Sequence, residues 1–438
     1  MKVELRWQLH NARLADAGEG YCGVIAPGVR LRLPGTPAIS AALQQLAGPG
    51  LSQQAMQLSD RAERELVEGC LQALRARGLV TATLVVEGRE YARIVPARPW
   101  GTPAGYDPAR RYRLSRFALV RRVDAGFVVE APTAGERALL SADALALLPS
   151  LEAREPADEA GKSLRRLLCE AGLLTEVLAS GETAEEADAA LRVWSVHDLA
   201  FHMLKRDEAT PSPDPAPTLK PRAGGALISL PADSAGQHSS RRLADVLAAR
   251  QSVRQYDDAP LPLSLLGAFL YRAARVTAMR DDGAYEATRR PYPSAGALYP
   301  LELYVIAGNC EALEFGVYHY RSEAHQLERL DADAETLRTF AALCASFTGE
   351  SDARPQATLA ITARMARVVW RYAGAALTLI LEDTGALMQT LYLVATDLGL
   401  APCALGTAEP DLFARATGID RYAEPQIAGF LLGLPGKS

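Results

Sequence analysis

The 438-residue chain has no CxxC pair, no Cys/His cluster and no long apolar run. Its six cysteines (Cys22, Cys70, Cys169, Cys310, Cys344, Cys403) are scattered along the sequence. Dispersed thiols exclude a disulfide framework and a zinc ribbon, and fit a reducing cytoplasm. The run Ala376-Leu377-Thr378-Leu379-Ile380-Leu381 is the size of a buried strand, far short of the ~18 residues of a spanning helix. No membrane role is expected. Met1 to Arg13 mixes charged and apolar residues, unlike a secretory signal. There is no basic excess: 47 Lys and Arg stand against 52 Asp and Glu, a net charge of −5. That argues against nucleic-acid binding. The chain also lacks GxGxxG after a strand, a P-loop, GxSxG and HExxH. Dinucleotide, P-loop, serine-hydrolase and zinc-protease chemistry therefore have no motif to rest on.

What is present is a globular composition, 49% hydrophobic and 23% charged, in a chain long enough for two or three domains. Residues 1–105 read as a small α+β unit. Ala62–Arg77 carries Leu66, Val67, Cys70, Leu71 and Leu74 at helical spacing. It ends at Gly78, followed by strand-like Thr81–Val86 and Tyr91–Val95 about a turn at Glu87-Gly88. Helix, Gly-Leu, hairpin is the order of a winged helix. Residues 106–190 repeat the theme loosely. Tyr112–Val123 and Gly126–Glu130 read as a strand pair turned at Asp124-Ala125-Gly126, and the Lys162–Ala171 helix ends in Gly172-Leu173-Leu174. Neither copy has paired acid/base residues or metal-ligand spacing. Such units bind extended peptides by strand addition. A DNA-binding wing, using the basic pairs Arg75/Arg77 and Arg165/Arg166, and a purely structural appendage are the alternatives.

Residues 191–225 form a connecting segment. His197 and His202, five apart, do not match a helical metal pair and read as packing residues. Pro211, Pro213, Pro215, Pro217 and Pro221 make a semi-rigid linker. Residues 226–438 form the larger α+β domain, with strands at Leu301–Ile306, Gly316–Tyr320, Thr358–Thr362 and Ile427–Gly433. A long helix is expected over Leu379–Leu398, and Ala401–Leu405 leads from it to Gly406.

Two stretches of this domain stand out. In Arg250-Gln251-Ser252-Val253-Arg254, two arginines four apart at a helix end share a face, as a bound phosphate requires. Pro293-Ser294-Ala295-Gly296 is small and Pro-bounded, so its backbone can lie against a flat ligand. Together they suggest a phosphorylated planar cofactor. With no dinucleotide fingerprint in the chain, the cofactor suggested is a mononucleotide such as FMN. Solvated arginines and an ordinary loop are the bland alternative.

Residues 226–438 resemble the FMN-dependent nitroreductase superfamily, and within it the SagB/ThcOx-type azoline dehydrogenases of ribosomal peptide pathways. The resemblance rests on Arg250–Arg254, Tyr292–Tyr304, Gly316–Tyr320 with His325 and Leu327, and Gly385–Tyr392 with Gln389. It implies a nitroreductase-like FMN domain, a mixed sheet flanked by helices, preceded by two winged-helix-like leader-peptide recognition domains. By resemblance, Arg250 and Arg254 bind the FMN phosphate with help from Gln251 and Ser252, and Lys437 reaches the same group. Pro293, Ser294, Ala295 and Gly296 line the flavin, with Gln389 also in the site. Leu405 and Gly406 offer backbone N–H groups to the ring edge. Implied partners are a precursor peptide, a cyclodehydratase and a second copy of the chain.

Peptide-modifying members resembling this chain carry a Lys-Tyr pair where it has Arg371-Tyr372. Arginine stays protonated and is a poor base. Its charge can instead favour tyrosinate, leaving Tyr372 as the base; the alternative is that Arg371 and Tyr372 only shape the pocket mouth, and Tyr299 and Glu382 are secondary polar candidates that read first as structural. The expected reaction is oxidation of thiazoline or oxazoline to thiazole or oxazole. A flavin oxidase acting on a carrier-protein-bound substrate and a flavin-free peptide-binding scaffold are the other readings.

Overall fold

The computed structural model describes residues 2–56, 60–97, 105–123, 126–151, 156, 158–203, 216–231, 241–281, 285–349, 354–406 and 409–436. Lys437, the Asp124-Ala125 turn and the prolines Pro211, Pro213 and Pro215 lie outside the described residues. The chain divides into two units, Met1–Leu204 and Lys205–Ser438.

The first unit is built on a seven-stranded antiparallel sheet. Its order is Leu51–Ser52, Val3–Leu9, Val80–Val86, Arg89–Pro96, Glu136–Leu140, Gly126–Glu130, Leu119–Val123. Strands from residues 1–105 and 106–190 are therefore neighbours in one sheet, with Ala92 opposite Leu140 and Pro96 opposite Glu136. The two helices expected from the loose repeat end alike. In Arg61–Arg75, Leu79 N donates to Leu74 O, and Gly78 has φ +67°. In Glu159–Glu170, Leu173 N donates to Leu168 O, and Gly172 has φ +79°. Both are glycine-closed helix ends that return the chain to the core. Beyond these ends the two copies diverge. The first helix leads into the expected hairpin, whereas Leu174–Glu176 pairs back with Tyr112–Leu114. Tyr112–Val123 is accordingly two strands, not one. The break falls at Ser115 and Arg116, where the buried carboxylate of Glu185 accepts from Ser115 Oγ (2.7 Å) and Arg116 N (3.1 Å).

Arg75 ties the halves together. Its guanidinium bridges Glu136 (2.6 Å) and Glu170 (2.5 Å), with all three side chains largely buried. Arg165 is fully buried, and Arg166 pairs with Glu170 at 2.7 Å. The basic pairs considered for a DNA-binding wing are thus largely spent inside the unit, which removes most of the support for that alternative. His202 stacks on Trp194 at 5.6 Å, in keeping with a packing role.

In the second unit, a seven-stranded antiparallel sheet runs Leu227–Ser229, Gln326–Arg329, Gly316–Arg321, Leu301–Ala307, Ala357–Ala363, Gln426–Gly433, Ala401–Leu405. Its central strands are buried on both faces, and their apolar residues alternate between two cores. Leu301, Leu303 and Val305 meet the helices Leu263–Ala274 and Ala376–Asp397 through Phe269, Leu270, Ile380, Leu387 and Leu391. Tyr304 and Ile306 face Ala334–Ser346 and Pro410–Thr417 through Leu337, Phe340 and Phe413. The long helix is thereby buried against the sheet, one layer from the site.

Glu302 is buried beside His319 (2.8 Å) and Arg364 (3.3 Å). Burial alone would raise its carboxyl. The His319 hydrogen bond and the charges of Arg290 and Arg364 outweigh that and hold it at about 2. A depressed carboxylate stabilises the fold above its unfolded value near 4.5 and loses that contribution as pH falls toward 2. Wild-type stability in acid titrations should decline across this window, and Glu302→Gln should flatten the decline. In the first unit, Arg75→Ala leaves the buried Glu136 carboxylate without its cation, while Glu170 keeps Arg166, and should lower unfolding free energy in urea by about 3 kcal/mol; Arg75→Lys should recover part.

Candidate functional site

The helix Leu243–Ala249 stops where its last bond, Arg250 N to Val246 O, is made. Residues 251–255 are neither helix nor strand, so Arg250 and Arg254 do not share a helical face as the sequence suggested. The reason is competition from the sheet edge. Val253 N donates to Pro402 O at 2.8 Å, and Gly436 N donates to Gln255 O at 3.0 Å. Arg250 and Ser252 are half-buried, while Gln251 and Arg254 are exposed.

Tyr392, from the long helix, joins this segment to the neighbouring strand. Its hydroxyl lies 2.7 Å from Ser252 Oγ and accepts from Ala404 N at 2.8 Å. The Arg250 guanidinium lies over its ring, 5.2 Å from the centroid. Leu405 is buried, whereas Gly406 is exposed with nothing within 4 Å of where a Cβ would stand. Gly406 follows directly after the end of the strand Ala401–Leu405. Gln389 is exposed on the same helix.

The second cluster surrounds the loop Pro293–Gly296. Asp383, buried on the long helix, accepts from Ser294 Oγ (2.5 Å) and Ala295 N (3.0 Å). Ser294 Oγ accepts in turn from Tyr299 N at 2.9 Å. Burial pushes the Asp383 carboxyl above its ordinary value, and the Ser294 and Ala295 hydrogen bonds only partly oppose this. Gly296 has φ +58°, and Tyr285 Oη donates to its carbonyl at 2.5 Å. A Cβ on Gly296 would lie 2.9 Å from the Tyr372 hydroxyl. Tyr372 thus lies against the loop, brought there by the helix Ala366–Tyr372. That helix is anchored by buried Arg367, which donates to Leu298 O (3.0 Å), Ala216 O (2.9 Å) and Glu286 O (2.7 Å). Arg371 lies over the rings of Tyr285 (4.9 Å) and Tyr372 (5.5 Å). Tyr299 Oη donates to Tyr292 O, a structural use, and Glu382 is exposed.

The predicted residues therefore fall into two groups fastened to one helix: the arginine segment with the Leu405-Gly406 strand end, and the Ser294–Gly296 loop with Tyr372 and Arg371. The donors suit a phosphate at the first group. The left-handed, side-chain-free Gly296 suits a flat ring at the second. Tyr285, Asp383 and Tyr392 were not assigned from sequence. Asp383 and Tyr392 lie in a helix that also carries Glu382, Asp397 and several threonines, so no sequence signal set them apart; Tyr285 sits in a polar stretch without periodicity.

A family profile described as the nitroreductase family matches residues 247–434, and one described as cyanobactin oxidase ThcOx matches residues 112–210. A nitroreductase-like protein of Methanocaldococcus jannaschii is 36% identical over 166 residues, covering 38% of this chain and 78% of that protein. The chain belongs to the nitroreductase family. This is a family of FMN-dependent oxidoreductases. The chain is also similar to the microcin B17-processing protein McbC of Escherichia coli, 32% identical over 149 residues, and to the trifolitoxin-processing protein TfxB of Rhizobium leguminosarum bv. trifolii, 26% identical over 185 residues. These matches cover 32% and 40% of this chain, and 53% and 49% of those relatives, about half their length. Among the described residues no helix is long and apolar enough to cross a membrane, and no cluster of His, Cys, Asp or Glu could hold a metal ion.

Because a Cβ at Gly296 would meet the Tyr372 hydroxyl and take a left-handed φ, Gly296→Ala should destabilise the fold by about 1 kcal/mol or more in urea unfolding. Combining it with Tyr372→Phe should cost less than the sum of the two single changes.

Proposed function

We propose that this nitroreductase-family chain is an FMN-dependent dehydrogenase that oxidises thiazoline or oxazoline rings to azoles in a ribosomally made precursor peptide. The observation that carries the reading is the Tyr372 hydroxyl. It lies against Gly296 and makes no hydrogen bond among the described residues. A hydroxyl without a partner, against a loop suited to a flat ring, is placed to take a substrate proton in its phenolate form. Similarity to a microcin B17-processing and a trifolitoxin-processing protein supports the same reading.

Arg250 and Arg254 would hold the FMN phosphate, with Ser252 and Gln251 beside them and Lys437 joining from the chain's last residues. The backbone of Pro293–Gly296 would lie along the ring system, Gln389 would flank it, and the Leu405-Gly406 backbone would donate to its edge. FMN, when bound, supplies the hydride acceptor. Tyr372 takes the proton from the ring carbon next to the peptide carbonyl. Residues 1–105 and 106–190 would recognise the leader of the precursor peptide, and a cyclodehydratase would supply the ring. A homodimer is supported by the outward face of the long helix, where Leu381, Gly385 and Gln389 are exposed.

The purified protein should be yellow, or become so on adding FMN; a colourless protein that takes up no flavin would sink the reading. Arg250→Ala should weaken FMN binding about 10- to 100-fold, read by fluorescence titration. Tyr372→Phe should cut azoline oxidation at least about 100-fold with the flavin spectrum unchanged. Equal turnover of substrates with and without leader would remove the role given to residues 1–190.

A further inference from the structure

Arg371 stands where a basic partner for Tyr372 would be convenient, yet a guanidinium does not give up its proton at physiological pH. Its setting points to another use. The side chain is exposed and makes no hydrogen bond or ion pair among the described residues. It is held instead by ring faces, 4.9 Å from the Tyr285 centroid and 5.5 Å from that of Tyr372. Tyr285 is itself fixed, donating to Gly296 O at 2.5 Å and meeting the edge of Trp370 at 5.6 Å. Stacking orients a guanidinium without consuming its N–H groups. A planar fork of five donors is therefore left beside the Tyr372 ring.

The charge that needs such a fork arises in the proton transfer. When the C–H bond next to a carbonyl breaks, the proton forms an O–H bond on the Tyr372 phenolate. The electron pair moves onto the carbonyl oxygen, and the negative charge passes from Tyr372 to the substrate. We propose that Arg371 is a catalytic residue for this step, binding the enolate oxygen of the carbonyl attached to the azoline ring. The fork selects rings that carry a carbonyl at the carbon losing the proton, as every azoline within a peptide does. The inference rests on the azoline reading of the site. It replaces the idea that Arg371 serves only to favour tyrosinate.

The test separates proton transfer from oxidation. A thiazoline peptide with two methyl groups on the adjacent ring carbon keeps its acidic C–H but has no hydride to lose. Incubated in D2O with the full-length, flavin-loaded protein, it should exchange that hydrogen for deuterium, read by proton NMR. Arg371→Gln should slow the exchange about 100-fold without changing the flavin spectrum, Arg371→Lys should fall between, and Tyr372→Phe should stop it. A neutral analogue lacking the carbonyl should show no difference between wild type and Arg371→Gln. Wild-type exchange matched by Arg371→Gln would overturn the role of Arg371 while leaving the azoline reading intact. No enzyme-dependent exchange in the wild type would overturn both.

Discussion

Asp383 holds Ser294 and Ala295, and nine residues later Tyr392 holds Ser252 and Ala404. Both lie on one buried helix, Ala376–Asp397. At 1.5 Å per residue the two attachment points are about 13 Å apart along the axis. That rigid separation places the arginine segment and the glycine loop relative to each other, although they are distant in sequence and neither has regular structure of its own. The helix keeps its position because Ile380, Leu387 and Leu391 are buried in the core. Packing of ordinary aliphatic side chains thus becomes precision at a polar site.

The second anchor is Arg367. Its three donated bonds reach three separate segments, those of Leu298, Ala216 and Glu286. Burial lowers its pKa, with the nearby Arg364 and Arg290 charges acting in the same sense. The backbone carbonyls compensate part of that cost. They also fix the short helix that carries Arg371 and Tyr372. Arg371 and Tyr372 therefore sit on a short helix held both by Arg367 and by the burial of Val368 in the core.

Much of this was legible in the sequence because it depends on periodicity. The long helix, the apolar strands and the glycine-closed helices all announce themselves through spacing. The candidate site residues were read as short motifs, and the structure sets them in two groups held by one helix. What sequence could not give was the state of Arg250–Arg254. Helix propagation there loses to hydrogen bonds from Val253 to Pro402 and from Gly436 to Gln255, partners about 150 and 180 residues away in the chain. Tyr285 was missed for a related reason: its importance lies in the Gly296 carbonyl and the Arg371 guanidinium, which only tertiary contact brings to it.

The shared sheet of the first unit has a consequence for how that region came to be and how it comes apart. The loose repeat suggests two similar modules, but the pairing of Arg89–Pro96 with Glu136–Leu140 and the Arg75 bridge make each half the missing flank of the other. Cutting the chain near residue 105 would leave two bare sheet edges and the buried Glu136 carboxylate without its cation. The halves are therefore one cooperative block, so neither is expected to be transplanted, lost or unfolded by itself.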